Sequence, residues 1–513
     1  MKDQGVSDVP SQIPVTIALA LNNEDELNEK ISEMYQPGSP RYRSYMSVQE
    51  FTERYAPTVT QISEAVSYLN AHGIKTLSIG PSGLLIHATA SVRYLDEAFQ
   101  TEIHRYDSDA SSRFAPIFEP VMPAGLSIRA VHGLESSVQL RHHAVANIHK
   151  QNASGANAGL TPSSIHTAYN IPTTYNGAGQ TIALVELDGF KQSDITAYEN
   201  AFGLPANTPQ VVQVAGATGA AGSNSDEVTL DIELTTAVAP GAKIKVYEAP
   251  NDSQSLLSLY EAIAADSSVS EVSISWGMSE TAYTTSFLES ESGVFRQMAA
   301  QGISVYAASG DQGANANGSS LSVEDPGTQP FVVAVGGTHL NSGPGGSYIS
   351  ETTWNQSSTE GTGGGVSQVW GLPSWQSGVA TSLNLASNKM RNVPDIALNA
   401  DPSTGYSIYL NGGWVVYGGT SCAAPIWAAF TALVNQNRVS NGLAALGFTN
   451  PYLYAIGKAQ ASSPNFHDIR DGSTNGHYPA VSGYDDATGW GSMSGTNLFN
   501  QLSTEPEQSA ASC

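Results

Sequence analysis

Thr181-Ile182-Ala183-Leu184-Val185-Glu186-Leu187 is an almost unbroken apolar run bounded by polar residues, and it reads as a strand buried on both faces. Runs of the same kind recur at 243–248, 271–276, 303–308 and 331–335, with helical segments near 193–202, 226–239, 254–265 and 287–301 between them. Alternation of this sort predicts an α/β domain, a doubly wound, largely parallel sheet with helices on both faces. In such a sheet, reactive groups collect beyond the carboxyl ends of the strands.

Upstream the pattern differs. Residues 14–21 read as a strand, Leu27, Ile31, Met34 and Tyr35 recur at helical spacing, and Ser47-Val48-Gln49-Glu50 is a capping box opening a short helix. Ile62, Ala65, Val66 and Leu69 mark a further helix stopped at His72-Gly73. Strands near 75–79 and 84–88, a helix near 92–99 and a strand near 101–106 complete a ferredoxin-like α+β domain over 1–138, which carries the dense cluster Arg41-Tyr42-Arg43-Ser44-Tyr45. Residues 139–160 have linker composition, and His142 and His143 within them read as an exposed, solvated pair rather than a metal site. The α/β domain runs over 161–505, with long loops expected at 339–417 along one side of the site, and 506–513 form a tail.

The chain of 513 residues carries 46 Asp+Glu against 21 Lys+Arg, a net charge of −25, which argues against nucleic acid or an anionic membrane as partner. Only 13% of residues are charged, so few ion pairs are lost in acid, and an acidic working environment fits. Cys422 and Cys513 do not suggest a disulfide framework. No stretch is apolar enough to span a bilayer, and Met1-Lys2-Asp3-Gln4-Gly5 lacks the apolar core of a signal peptide. That leaves an intracellular protein, another export route, or a leader absent from this sequence.

Gly418-Gly419-Thr420-Ser421-Cys422-Ala423-Ala424-Pro425 delivers a serine to the start of an apolar helix. Either this is a glycine turn with a Ser/Thr cap, or Ser421 is a nucleophile whose backbone N–H faces an oxyanion. Pro425 suits a first helical turn. Glu227 and Asp231 are four apart and share a helix face beside the stripe Leu230, Leu234, Ala237 and Val238. They form either a repelling pair with a raised pKa or a solvated first turn favoured by the dipole. Asp311, in Ala308-Ser309-Gly310-Asp311, ends the strand at 303–308 and is either functional or a turn residue. Glu186 and Trp276 close two other strands. No histidine is expected near any of them, so Glu227 is the candidate base for Ser421, with Asp231 orienting it. A carboxylate, with an ordinary pKa of about 4.3, still accepts a proton in mild acid, where histidine is already charged.

Three motifs in this order resemble the sedolisins, the serine-carboxyl peptidases, and within them the kumamolisin branch: Gly419-Thr420-Ser421 with Pro425, Glu227-Val228-Thr229-Leu230-Asp231, and Ala308-Ser309-Gly310-Asp311. The resemblance covers nearly the whole chain, the N-terminal domain being similar to the family's prosegment. It implies a subtilisin-like fold and an acid-acting endopeptidase. In that scheme Ser421 attacks the scissile carbonyl, Glu227 relays the proton, Asp231 shares a proton with Glu227, and protonated Asp311 stabilises the oxyanion. Glu186 and Trp276 extend the network from the acidic pair, and Glu324 lines a substrate pocket with a preference for a basic residue. The resemblance also implies one Ca2+ held by the carboxylates of Asp468 and Asp485 and the carbonyls of Ile469, Val481 and Gly483. Val481 stands where the family usually has glycine, and by themselves these residues also read as an acidic turn. The expected partners are polypeptide substrates and the chain's own prosegment as intramolecular inhibitor, cut within about 140–160. The protein is expected to be a monomer, outside the cell or in an acidic compartment. A tripeptidyl-peptidase of the same family and a catalytically silent, calcium-stabilised binding protein are the alternatives. A subtilisin with a histidine base does not fit, since no His-Gly-Thr segment precedes the serine.

Overall fold

The computed structural model describes residues 2–5, 12–108, 111–136, 138–147, 156, 158–357, 359–459 and 464–504; the expected tail at 506–513 and residues 148–155 and 157 of the linker lie outside them. Thr181–Glu186 is buried at every position and pairs in parallel with Lys243–Glu248 on one side and Glu271–Ile274 on the other. Gln210–Gln213 lies outside Lys243–Glu248, while Ser304–Ala308 and Val333–Ser342 extend the other half in parallel. Tyr348–Thr353 closes that edge as an antiparallel hairpin partner, and Ile396–Asn399 pairs in parallel with Val333–Ser342. The result is the expected doubly wound, subtilisin-like sheet of eight strands. Its order reverses direction between Thr181–Glu186 and Glu271–Ile274, which opens a crevice at their carboxyl ends.

Two helices line this crevice. Thr420–Ser440 is buried from Thr420 through Asn435, and its run of alanines lets neighbours approach closely. Ser225–Val238 packs beside it and against the strand Tyr406–Leu410, so the acidic helix is buried on all faces from Glu227 to Val238 rather than at a core boundary. Two details differ from the sequence reading. Pro425 is the sixth residue of its helix, where it removes the N–H that would bond the Ser421 carbonyl. Trp276 does not close Glu271–Ile274 but starts a new strand, Trp276–Ser279, that turns away to form a wall of the crevice.

The N-terminal domain has the ferredoxin-like antiparallel order Lys75–Ile79, Leu85–Ala90, Ile13–Leu19, Ile128–His132. The strand expected near 101–106 forms as Ile103–Ser108 but joins a separate sheet with Lys2–Gly5 and Ser111–Pro116. Alternation along Ile13–Leu19 divides its side chains: Ile17 and Leu19 pack in the domain's own core, and Ala18 joins the core of the large domain. The Arg/Tyr cluster belongs to this junction. Tyr45 Oη donates to the Leu446 carbonyl, Arg43 Nε donates to Tyr452 Oη at 3.2 Å, and its guanidinium lies 4.6 Å from that ring.

Glu261, on the helix Ser253–Ala264, takes the N–H groups of Ser82 and Leu84, each at 3.2 Å, and the Ser82 hydroxyl, so one carboxylate serves three donors of the N-terminal domain. Removing it leaves those buried donors unpaired, at about 1–3 kcal/mol for a group stranded in this way. In a Glu261→Ala chain, hydrogen exchange at residues 80–85 is expected to speed up relative to the rest of the domain. Unchanged protection there would show that this carboxylate does not hold the two domains together.

Candidate active site

Glycine sets the approach to the serine. Gly419 has φ 102°, outside the range comfortable for a side chain, and a methyl placed there would overlap the His143 carbonyl oxygen and lie 2.7 Å from Asp311 Oδ2. Thr420 and Ser421 then open the buried helix. Ser421 Oγ donates to the Ser275 carbonyl at 3.4 Å and makes no bond to Glu227. The Ser421 carbonyl, freed by Pro425, faces Ser275 Oγ at 3.5 Å.

The four carboxyls expected in the site sit around this serine, each in a different environment. Asp231 accepts the Ser275 hydroxyl at 2.8 Å; burial pushes its pKa well up, and the charges of Glu186 and Glu227 push it further. Glu186 accepts the Trp276 indole N–H at 3.0 Å and is raised by burial in the same way. Both oxygens of Glu227 are buried without a hydrogen-bond partner, and His142 Nδ1 stands 3.3 Å from Oε2. Asp311 is asymmetric. Its Oδ1 accepts the Thr420 N–H at 2.8 Å and hydroxyl at 2.7 Å, while Oδ2 is buried and unpartnered. Burial lifts this acid to about 7, so in acid it is neutral, and with Oδ1 occupied by two donors its proton belongs on Oδ2.

Both linker histidines were expected to be solvated and remote from the carboxyls, and both are in the crevice. Arg141–His142 pairs antiparallel with Trp276 and Gly277, and Val145–Ala146 pairs antiparallel with Tyr417 and Gly418. The linker thus crosses the site between two walls. Upstream, Asn251 grips the Leu140 backbone on both sides, accepting its N–H at 2.8 Å and donating to its carbonyl at 2.9 Å. His142 lies edge-on to Trp276, and although burial opposes its charge, Glu227 raises its pKa. His143 is buried, with Nδ1 2.8 Å from the Ser275 carbonyl and Nε2 2.6 Å from Glu324. Burial alone would depress its pKa, but the Glu324 carboxylate more than offsets that and holds it near about 10.

Asp468 and Asp485 come together through one loop: Gly483 N–H lies 3.2 Å from both Asp468 oxygens, and Val481 N–H donates to Asp485 at 2.9 Å. Burial raises both acids, Asp485 to about 7. Among the described residues no three His, Cys, Asp or Glu side chains converge on a common point, so a cation here would depend on backbone carbonyls.

Residues 1–137 match the pro-kumamolisin activation domain and residues 212–486 match the subtilase family. Kumamolisin of Bacillus sp. (strain MN-32) is 33% identical over 98% of this chain and 93% of its own. The chain belongs to the sedolisin family. Tripeptidyl-peptidase 1 of Bos taurus is 25% identical over 97% of this chain and 93% of its own length. The solved structure of Pseudomonas sedolisin, a serine-carboxyl proteinase complexed with two molecules of pseudo-iodotyrostatin, superposes with a TM-score of 0.61 at 29% identity, covering 67% of this chain and 98% of that one. This sedolisin-family chain is therefore a serine-type peptidase with an N-terminal activation domain.

Ser275 and Asn251 escaped the sequence reading, which also took His142 and His143 for a solvated pair and gave Thr420 no contact with Asp311. The available signals were two adjacent histidines in a linker without acidic residues and a serine directly before Trp276.

The buried acids set a pH dependence. Burial lifts Glu271 and Glu280 to about 7, as it does Asp311, and Asp325 to about 6. Each holds a proton in the folded chain that the unfolded chain releases near about 4, so folding stability falls as pH rises between about 4 and 7. Calorimetry of a Ser421→Ala chain, which removes the candidate nucleophile, is expected to give a higher Tm at pH about 4 than at pH about 7. A Tm that rises over that interval would contradict the assignment.

Proposed function

We propose that this protein is a serine-carboxyl endopeptidase that works in acid through an acyl-enzyme on Ser421 and is made as a self-processing proenzyme. The observation that carries the reading is the linker carbonyl lying against Asp311 Oδ2 and the Gly419-Thr420-Ser421 turn. Ser421 Oγ attacks such a carbonyl, and Glu227 takes the serine proton and passes it to the leaving amine. For this the hydroxyl must turn from the Ser275 carbonyl to Glu227. Asp231, with Glu186 and Trp276 behind it, orients Glu227 and limits its charge. Asp311, protonated on Oδ2, and the Ser421 N–H receive the developing oxyanion; ionised Asp311 would repel it. Acid thus supplies the neutral form of Asp311, and it matches the low charge density and the many buried acids, in keeping with a place outside the cell or in an acidic compartment.

Endopeptidase is favoured over tripeptidyl-peptidase by the path of the chain. Upstream of His143 the cleft holds His142, Arg141 and Leu140, and Asn251 clamps the last of these, so the non-prime side is open to a continuing polypeptide.

The full chain and a Ser421→Ala chain brought to pH about 4 test the reading. The unaltered chain is expected to lose the prosegment by a cut within the linker and then digest a denatured protein, while Ser421→Ala stays intact. If both stay whole and Ser421 ignores an organophosphonate probe at every acidic pH, the peptidase roles given to Glu227, Asp231 and Asp311 fall.

We further infer a Ca2+ site at Asp468 and Asp485, completed by the carbonyls of Ile469, Val481 and Gly483. The donor set is all oxygen, which suits a hard cation, and a divalent ion would relieve buried Asp485 and half-buried Asp468. A cation at about 100 times its Kd adds roughly 2.7 kcal/mol to stability, so chelation is expected to lower the Tm by several degrees and an Asp468→Asn chain to lose that response. A Tm indifferent to chelator in the unaltered chain would reduce these residues to an acidic turn.

A further inference from the structure

We propose that the crevice reads the fourth residue before the scissile bond, Asn251 holding that residue's peptide groups and an apolar seat taking its side chain. Asn251 is then a substrate-binding residue, and the substrates are polypeptides with an apolar residue at that place. The inference rests on the peptidase reading above and adds a residue to the site and a class to its substrates.

The Asn251 side chain serves the passing chain alone. Its Oδ1 accepts the Leu140 N–H at 2.8 Å, and its Nδ2 donates to the Leu140 carbonyl at 2.9 Å. Among the described residues the amide makes no other hydrogen bond, so nothing within the large domain calls for an asparagine there. An amide offers an acceptor and a donor side by side, which matches the N–H and carbonyl that one extended residue turns to the same side. The mount is independent of the linker. Lys243–Glu248 ends three residues earlier, and the Ala249 N–H donates to the Glu186 carbonyl at 3.0 Å. Asp252 caps the next helix by accepting the N–H groups of Gln254 and Ser255 at 3.1 and 2.9 Å. Asn251 is thus held between a strand end and a helix cap, as a preformed binding group should be.

Counting back from the linker carbonyl that lies against Gly419 and Asp311 Oδ2, which belongs to His143, makes Leu140 the fourth residue. Arg141 and His142 between them pair with Gly277 and Trp276 through the backbone, and the Arg141 residue is exposed. Leu140 is different. Its side chain is 4% exposed and joins the apolar core of the large domain. A polar or charged side chain in that seat would be buried without a partner.

Two selections therefore act on one residue. The amide asks that the chain continue to a fourth residue with a free N–H, and the seat asks that this residue be apolar. A substrate that begins at the third residue makes neither contact.

The test uses the processed enzyme at pH about 4 and a library of peptides blocked at both ends. Cleaved peptides are expected to be enriched in apolar residues four places before the bond and not three places before it. A well-cleaved peptide is then remade with a methyl on the nitrogen of that fourth residue, which removes the N–H and keeps the side chain. In the unaltered enzyme kcat/KM is expected to fall by about tenfold, and in Asn251→Ala, which has no acceptor to lose, by less than about twofold. Asn251→Ala keeps every side-chain hydrogen bond described within the large domain. If the variant does not shed its own prosegment, tagged unaltered enzyme does so and is then removed. Equal falls in the two enzymes, or no enrichment at the fourth place, overturn the inference and leave the peptidase reading standing. If Ser421 is inert to the organophosphonate probe and nothing is cut, the peptidase reading itself fails, and this inference with it.

Discussion

A carboxyl buried away from any cation must keep a proton or be given a positive neighbour, and the crevice of this protein is built under that constraint. Glu186, Glu227 and Asp231 are fully buried, and the catalytic domain offers them an indole N–H and a hydroxyl but no basic side chain among the described contacts. The helix that carries two of them is enclosed on all faces, so water cannot relieve the repulsion. The positive charge at Glu227 comes instead from His142, which belongs to the linker. The balance of charge in the site therefore spans two parts of the chain.

That dependence connects the N-terminal domain to the crevice. Three of the four strands of its sheet contribute to the core of the large domain, through Ala18, Leu85 and Ala130, and Glu261, Tyr35 and Arg43 bind the two together by polar contacts. From this anchored domain the chain passes the Asn251 clamp and enters the crevice extended, adding short antiparallel strands to both walls. Backbone pairing of this kind holds almost any sequence. Specificity has to come from the side chains, and here two imidazoles meet two buried carboxylates, Glu227 and Glu324.

The parts legible in the sequence were those written in local pattern. Continuous apolar runs marked the parallel strands because burial on both faces removes alternation, and the spacing of Glu227 and Asp231 placed them on one face of one helix. What local pattern does not contain is where a polar linker travels. His142 and His143 sit in a segment with no periodicity, and their burial depends on the walls Trp276–Ser279 and Gly413–Gly418, far away in sequence. Trp276 was assigned to the preceding strand because Val272, Ile274 and Trp276 continue one alternation of apolar residues, yet the chain breaks at Ser275, whose hydroxyl and carbonyl are both taken by the site. Pro425 was placed in a first turn by propensity alone; in the structure its missing N–H frees the Ser421 carbonyl instead.

The asymmetry of Asp311 shows how much a neighbour decides. A buried neutral carboxyl has two places for its proton, and without further contacts it would divide its time between them. Thr420 ends that freedom by donating twice to Oδ1, so the proton is confined to Oδ2, and Gly419 removes the side chain that would otherwise cover that oxygen. On the proposed reading the Gly-Thr-Ser turn therefore does more than present a nucleophile: it also orients the acid that receives the oxyanion. The arrangement works only while Asp311 keeps its proton. Alkali would ionise it and, on the proposed reading, put a negative charge where the oxyanion has to form. Burial lifts Asp311 to about 7, so in acid this carboxyl keeps its proton and stays available as a donor beside the serine.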